Sequence, residues 1–517
     1  MMMEQSVSEN NKRIAKNTVI LYIRMFFVML VSLYTSRVVL NTLGVSDFGI
    51  FNVVAGVVTM MQVINGAMTV STQRYLTFEL GKHDMKQFQK TFSMCMTIFV
   101  LLCILMLFVG ETLGLWFVNT YLVIPEDRIA AANWVYQFAL LSCICTLLNN
   151  PYNATIIAYE KMDVYAYIGI VEVVLKLAIV YLLLIIPADR LAVYGGLTFL
   201  STLIITLTYR FYCINKFKDT KYIFYWDKEL FKQLLSYSGW NLFGSLSGVA
   251  KGQGLNILIN MFFGPSVNAS RGIAYQINSI VSSFFSNFYT AVRPQITKYY
   301  AQDNKEEMFK LVLNSSKMAF FLILFISLPI IIEAPMIINV WLGQTPEYVV
   351  PFVRIIMIIT AIDSMSTPLM TAIHATGNNR LYQLSAGIIM ILTLPISYAL
   401  LKMGLSPVSV FFASLCLSFI SLFVRLYLAK RQLDFPFIKY TIEVVLRSFI
   451  VAVLSMILPI FIHCSLSESI ISTIIVCCMC LLSSLTVTYY IGLSKYERVA
   501  VKLLIRRNLK INGTVSK

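Results

Sequence analysis

The sequence predicts an all-α polytopic membrane protein with about fourteen transmembrane helices, in two sets of six followed by a further pair. Three observations carry this. Of 517 residues, 58% are hydrophobic and only 13% are charged, and the mean hydropathy is +0.76; soluble domains carry about 25% charged residues. Apolar runs of about 20 residues, the length that crosses a bilayer, recur along the whole chain. The lysines and arginines collect on alternate connections between those runs, as in proteins that cross a membrane many times.

The runs lie at 17–40, 48–70, 89–110, 130–157, 164–186, 191–213, 234–262, 267–291, 310–332, 349–374, 381–402, 406–429, 442–463 and 469–491. Alternate connections hold Lys12, Arg13 and Lys16, then Arg74, Lys82, Lys86 and Lys90, then Lys161, then Arg210 to Lys232, and so on to a basic tail. The intervening loops hold only Arg128, Arg190 and Lys402. A missed or extra run in the middle would destroy this separation. Both termini are therefore expected in the cytoplasm. The first run is too long for a signal-peptide core and no small-residue cleavage site follows it, so it is expected to remain as the first span.

The segments follow from this count. Residues 1–16 form a cytoplasmic tail, 17–214 a first lobe of six spans, 215–233 a basic linker, 234–430 a second lobe of six, 431–492 a loop with the last two spans, and 493–517 a basic tail. The linker contains KFKDTKYIFYWDKELFK (216–232), whose mixed charges and aromatics predict an amphipathic helix on the cytoplasmic surface. Weak self-similarity relates the lobes. NPYNATIIAYEKM from Asn150 matches TPLMTAIHATGNNR from Thr367, Gly44 matches Gly264, and Arg74 matches Arg293, at offsets of 217 to 220 residues.

Composition excludes several functions. The net charge of +16 is explained by loops that set orientation and attract anionic lipid, and no nucleic-acid motif accompanies it. Most of the ten cysteines lie in apolar runs, and there are only three histidines, so neither a metal nor a cofactor is expected. No external loop is long enough for membrane-bound transferase chemistry, and no nucleophile–base constellation is visible, so an enzyme is not expected.

Charges inside the runs are the informative residues, since an unpaired charge at mid-bilayer costs about 2.5–3.5 kcal/mol on insertion scales. The cations are Arg24, Arg37, Lys176, Lys251, Arg271, Lys317, Arg354, Arg425 and Arg447; the acids are Glu172, Glu333, Asp363 and Glu443. Arg37 is near enough to a span end to snorkel, and Glu172 and Lys176 are placed to pair at i,i+4. Arg24 shares a helix face with Asn17 and Thr35 at 100° per residue. Asn52 opens a similar stripe in the second run. Asn241 and Asn256 lie on a small-residue stripe flanked by Lys251, and Arg271, Tyr275, Asn278 and Ser282 fall on one face of the next run. The cationic excess favours an anionic cargo such as pyrophosphate, which the planar guanidinium fork binds in pairs of bonds. Asp363, in TAIDSMSTPLM, is the candidate carrier for a coupling proton.

The opening span, LNTLGVSDFGIFNVVAGV and STQRYLTFELGKHDMKQFQKTFS together resemble the N-terminal part of bacterial O-antigen and capsular polysaccharide flippases, within the multidrug/oligosaccharidyl-lipid/polysaccharide exporter superfamily. The resemblance implies two six-helix lobes in a V around a central cavity. It implies that an undecaprenyl-pyrophosphate-linked oligosaccharide crosses the bacterial inner membrane to the periplasmic leaflet by alternating access. It also implies cavity-facing arginines in the first and eighth spans, where this chain has Arg24 and Arg271; Lys251 is added here as a third contact to pyrophosphate. Proton or sodium coupling is implied as well, although spans eleven and twelve lack the carboxylate that sodium-coupled relatives use. The implied partners are the glycolipid, membrane lipids, and the polymerase and export proteins of the same pathway. The alternatives are a cation-coupled multidrug exporter of the same superfamily, and a polysaccharide polymerase or ligase.

Overall fold

The computed structural model describes residues 2–499 apart from Val123, Pro187, Ala188, Gln344, Glu468 and Tyr496. Every regular element among them is helical. The helices are α1 (Met2–Gly81), α2 (Met85–Val109), α3 (Leu115–Tyr121), α4 (Ile129–Ala158), α5 (Met162–Ile185), α6 (Arg190–Lys216), α7 (Lys228–Ala301), α8 (Lys305–Ile332), α9 (Ala334–Leu342), α10 (Val349–Ala375), α11 (Arg380–Lys402), α12 (Val408–Leu433), α13 (Phe437–Tyr440), α14 (Arg447–Ser465) and α15 (Ile470–Val487).

Two of these, α1 and α7, are each two helices joined through a glycine. Gly44 has φ 78° and ψ 166°; Gly264 has φ 78° and ψ −176°. This backbone region is open essentially to glycine alone. Nothing lies within 4 Å of a Cβ built at either position, so it is conformation and not space that demands glycine. The glycine pair of the weak repeat thus turns the chain identically in both halves. The likeness continues beyond it: His83 and Asp303 both take positive φ just after α1 and α7, and Glu160 and Gly377 do so just after α4 and α10. Gly44→Ala and Gly264→Ala are each expected to cost about 1–3 kcal/mol, the usual penalty for a side chain in such a region. Equal losses of thermal stability in the two purified variants would express the repeat.

Eleven helices among the described residues are long and apolar enough to cross a membrane, or twelve if the bent pair Asp47–Val58 and Gln62–Gly81 makes one span. The expected fourteen include the two parts of α7, which are helical but carry the polar stripes of Asn241, Lys251, Asn256 and Arg271 and so fall short on apolarity.

Compact packing divides the chain into two units that interleave along the sequence. One holds residues 1–247, 290–308 and 374–387; the other holds 248–289, 309–373 and 388 onward. In the first unit, α4 packs on α1 and α6, and α5 on α1 and α6. Arg128 fastens α4 at one end, pairing with Asp47 and, at 2.7 Å, with Asp189. Asp189 also caps α6 by accepting the Leu191 and Ala192 amides. Tyr136 donates to the Gly110 carbonyl at 2.7 Å, inside the wide π turn (Gly110–Gly114) that joins α2 to α3.

In the second unit the final pair, α14 and α15, pack on each other and are tied by Ser483 donating to the Ser455 carbonyl at 2.9 Å. Buried Glu333, between α8 and α9, accepts from Thr473 at 2.9 Å and meets His463 Nδ1 at 2.7 Å. This secures the pair to the unit.

The linker departs from the expected amphipathic helix. A short 3₁₀ turn (Lys218–Thr220) is followed by extended chain over 221–227. Helix resumes at Lys228 because Asp227 accepts the Glu229 and Leu230 amides as an N-cap. The Leu230 amide, the largest influence, holds the Asp227 carboxyl below its ordinary pKa. The aromatic, β-branched character of KYIFYW favours extended backbone, and side chains of α2 satisfy that backbone instead of a helical ladder.

Candidate functional site

The cations singled out by sequence are in different surroundings. Arg24 points into the first unit. Its guanidinium lies 4.5 Å from the Tyr165 ring centroid and against Gly169, where an added Cβ would strike it. Glycine at 169 is therefore what gives the arginine room on α5. The Nε of Arg24 is buried without a hydrogen-bond partner among the described residues. Its expected stripe-mates serve other ends. Asn17 is buried and donates to the Glu160 carbonyl at 3.4 Å; Thr35 donates to its own helix at Val31, 2.7 Å. The Arg37 side chain lies outside the described residues.

Arg271 belongs to the second unit and braces the two parts of α7 across the Gly264 break. It donates to the Gly252 carbonyl at 2.6 Å and to Asn256 Oδ1 at 3.3 Å, and stacks 4.6 Å from the Tyr275 ring. Its Nε is also buried and unpartnered among the described residues. Nearby, Asn278 accepts from Thr360 at 2.5 Å and from Ser282 at 3.5 Å. Arg271, Asn256, Tyr275, Asn278 and Ser282 are thus gathered in one unit, all on α7, with Thr360 of α10 against Asn278.

Lys251, expected as a third contact to pyrophosphate, lies in the second unit. It is within electrostatic range of Asp363 and Arg425. Asp363 accepts from Ser418 at 2.7 Å, and Arg425 donates to Ser366. The Asp363 partner therefore comes from α12, not from the neighbouring serines of its own helix. Asn241 and Asn52 have hydrogen-bond partners of their own. Asn241 is buried in the first unit, accepting from Asn379 at 2.8 Å and Gln383 at 2.7 Å, and Asn52 donates to the Phe48 carbonyl at 2.8 Å.

Some of the apparent cationic excess is balanced. Glu172 and Lys176 pair at 2.7 Å, as their spacing predicts. Lys317, buried in α8, pairs at 2.9 Å with Glu497 beyond the last helix. Burial opposes ionisation of Glu497, but the Ser494 amide and Lys317 together hold its carboxyl below the ordinary pKa.

Sequence reasoning missed Glu160. Its side chain is 1% exposed, and it pairs with Arg13 at 2.8 Å and Lys298 at 2.5 Å. Gln295 donates to the same carboxylate at 2.5 Å. Three chain segments of the first unit meet there: α1, the turn after α4, and the end of α7. The one signal was a carboxylate in a turn of a few residues between two long helices. Among the described residues, no group of three His, Cys, Asp or Glu could hold a metal ion.

The fold is one shared with solved MATE structures. Over 82% of its length, at 14% identity and with a TM-score of 0.70, the chain is similar to a MATE protein solved in its straight conformation, covering 96% of it. It is similar, at 14% identity and TM-score 0.68, to the outward-facing conformation of a multidrug resistance MATE family transporter of the MOP superfamily, covering 82% of this chain and 96% of that one. A MOP superfamily transporter from Pyrococcus furiosus, described as having a binding pocket of reverse polarity that suggests a different function, matches 84% of this chain and 97% of its own, at 15% identity and TM-score 0.65. No family model matches the sequence, and no curated protein matches it.

Proposed function

We propose that the protein is a transporter that moves an anionic amphiphile across the bacterial inner membrane, specifically an undecaprenyl-pyrophosphate-linked oligosaccharide for O-antigen, capsule or exopolysaccharide assembly. One observation carries this reading: Arg24 and Arg271 each keep a buried Nε–H without a partner, in a chain built on a transporter fold. A buried donor left unsatisfied is costly, and phosphate oxygens would satisfy it. Each guanidinium is already backed by an aromatic ring, which fixes its plane. Turnover by alternating access, with both termini in the cytoplasm and with polymerase and export proteins acting downstream, belongs to the same proposal.

The competing function is cation-coupled export of drugs, favoured by the multidrug transporters among the fold's neighbours. The two readings want cargo of opposite charge. A cationic drug would be repelled by Arg24 and Arg271, and the first span offers no carboxylate to attract one. The discriminating experiment expresses the chain in cells lacking their own drug exporters and their own glycolipid flippase. Restored surface glycan without drug resistance is expected. Resistance to cationic drugs without restored glycan would replace the proposal with its rival.

Asp363 is assigned the coupling role, since it pairs with Ser418 and faces Lys251. Asp363→Asn keeps the shape and the hydrogen bond but cannot exchange a proton. In proteoliposomes it is expected to bind glycolipid normally while losing the acceleration given by an imposed pH gradient. Unchanged acceleration would remove Asp363 from the mechanism.

A further inference from the structure

The chain between Thr220 and Lys228 has a use that the transport reading does not absorb. It runs extended along α2 and is held there by side chains. Gln89 donates to the Lys221 carbonyl at 3.3 Å, the Ile223 amide donates to Ser93 Oγ at 3.2 Å, and the Tyr222 and Thr97 hydroxyls meet at 3.2 Å. These anchors are one turn apart on a single face of α2. At 100° per residue the same face continues through Val100, Ile104 and Phe108, all of them exposed. A stripe of exposed apolar side chains on a membrane-spanning helix is the surface that meets lipid. The segment therefore lies on the lipid side of α2.

Its depth follows from the sequence of α2. Lys86 and Lys90 are the last charges before Val109, so the anchoring residues sit at the change from polar to apolar helix. Beside that boundary the segment presents Ile223, 56% exposed, Phe224, 74% exposed, and Trp226, 51% exposed. Exposed aromatic side chains at this level are the composition of an interfacial belt. Five exposed lysines bracket it: Lys216, Lys218, Lys221, Lys228 and Lys232. The acidic residues nearby are Asp219, Asp227 and Glu229, of which Asp227 is committed to the amides of Glu229 and Leu230 and to the Tyr225 hydroxyl.

We infer that residues 221–227 form an interfacial strap that seats Ile223, Phe224 and Trp226 at the headgroup–acyl boundary of the bilayer and lays the bracketing lysines on anionic headgroups. The inference rests on the chain's spanning a membrane and is independent of its cargo. The strap pins the connection between the two repeated halves to the membrane surface.

The test places the full-length protein in nanodiscs containing lipids brominated just below the headgroup. Emission of Trp226 is taken as the difference between wild type and Trp226→Phe. Most of that emission is expected to be lost in brominated bilayers and to resist aqueous iodide. Brominated phosphatidylglycerol is expected to quench more than brominated phosphatidylcholine at equal mole fraction. High salt, or joint replacement of the five lysines by glutamine, should abolish that preference while leaving the quenching. Strong iodide quenching with none from brominated lipid would overturn the strap and point to a water-facing protein contact. Equal quenching by the two lipids at low salt would overturn the headgroup assignment. Neither result depends on whether glycolipid is moved.

Discussion

Arg271→Ala is expected to reduce delivery of lipid-linked glycan about a hundredfold at matched membrane abundance. The side chain makes two hydrogen bonds inside α7 and keeps its buried Nε–H, which in the proposed function meets a phosphate oxygen. A charge-assisted hydrogen bond contributes about 1.5–3 kcal/mol, and each 1.4 kcal/mol is a factor of about ten. Arg271→Lys should recover only part of the loss, because an ammonium keeps the charge but not the planar fork. Arg24 allows a test that leaves every charge in place. Gly169→Ala puts a Cβ where the Arg24 guanidinium lies, so it should displace the arginine and reproduce the Arg24→Ala defect. The readout is cytoplasm-facing glycolipid in cells, with thermal unfolding of each purified variant as the control for folding. Normal transport by Arg24→Ala and Arg271→Ala would reduce both arginines to packing features and leave the anionic cargo without support.

What could be read from the sequence depended on whether a residue's partners were near it. Arg24 and Arg271 stood out because a charge in an apolar run is expensive wherever the run goes. Gly44 and Gly264 stood out through their shared offset, although the backbone turn they make was not foreseen. Asp363 was visible, but Ser418, its partner, lies on another helix. Asn17, Asn52, Thr35 and Asn241 were read as lining residues from helical spacing alone. Spacing tells which face a side chain occupies but not what that face meets, and it did not foresee that each of the four bonds a backbone carbonyl or a neighbouring amide. The linker misled for a different reason. Its alternation of charge with aromatics suits an amphipathic helix as well as an extended interfacial segment, and the choice was made by Ser93, Gln89 and Thr97, more than a hundred residues earlier. Glu160 was invisible because nothing local distinguishes it from any turn residue between two helices.

Glu160→Ala is expected to be the most damaging substitution for stability in the first unit. One carboxylate, 1% exposed, holds Arg13, Lys298 and Gln295, and the Glu160 carbonyl holds Asn17. Breaking a buried pair by removing one partner costs about 3–5 kcal/mol, because a charge is left buried without compensation. Lys298 is largely buried and would suffer this in full, whereas Arg13 is nearly half exposed and can turn to water, so its share is small. A net loss of about 3–5 kcal/mol is the expectation. Two companions identify the cause. Glu160→Gly removes the carboxylate but suits the left-handed φ of 58° better than any side chain does, so it should be less harmful than alanine by about 1 kcal/mol. Lys298→Met combined with Glu160→Leu removes both buried charges, and its cost should fall well below the sum of the single changes. Thermal unfolding of the purified variants in one detergent measures all of these. Additive effects in the double variant would show that Glu160 acts through its backbone position alone, and the carboxylate would then lose its place as the fastening point of three chain segments.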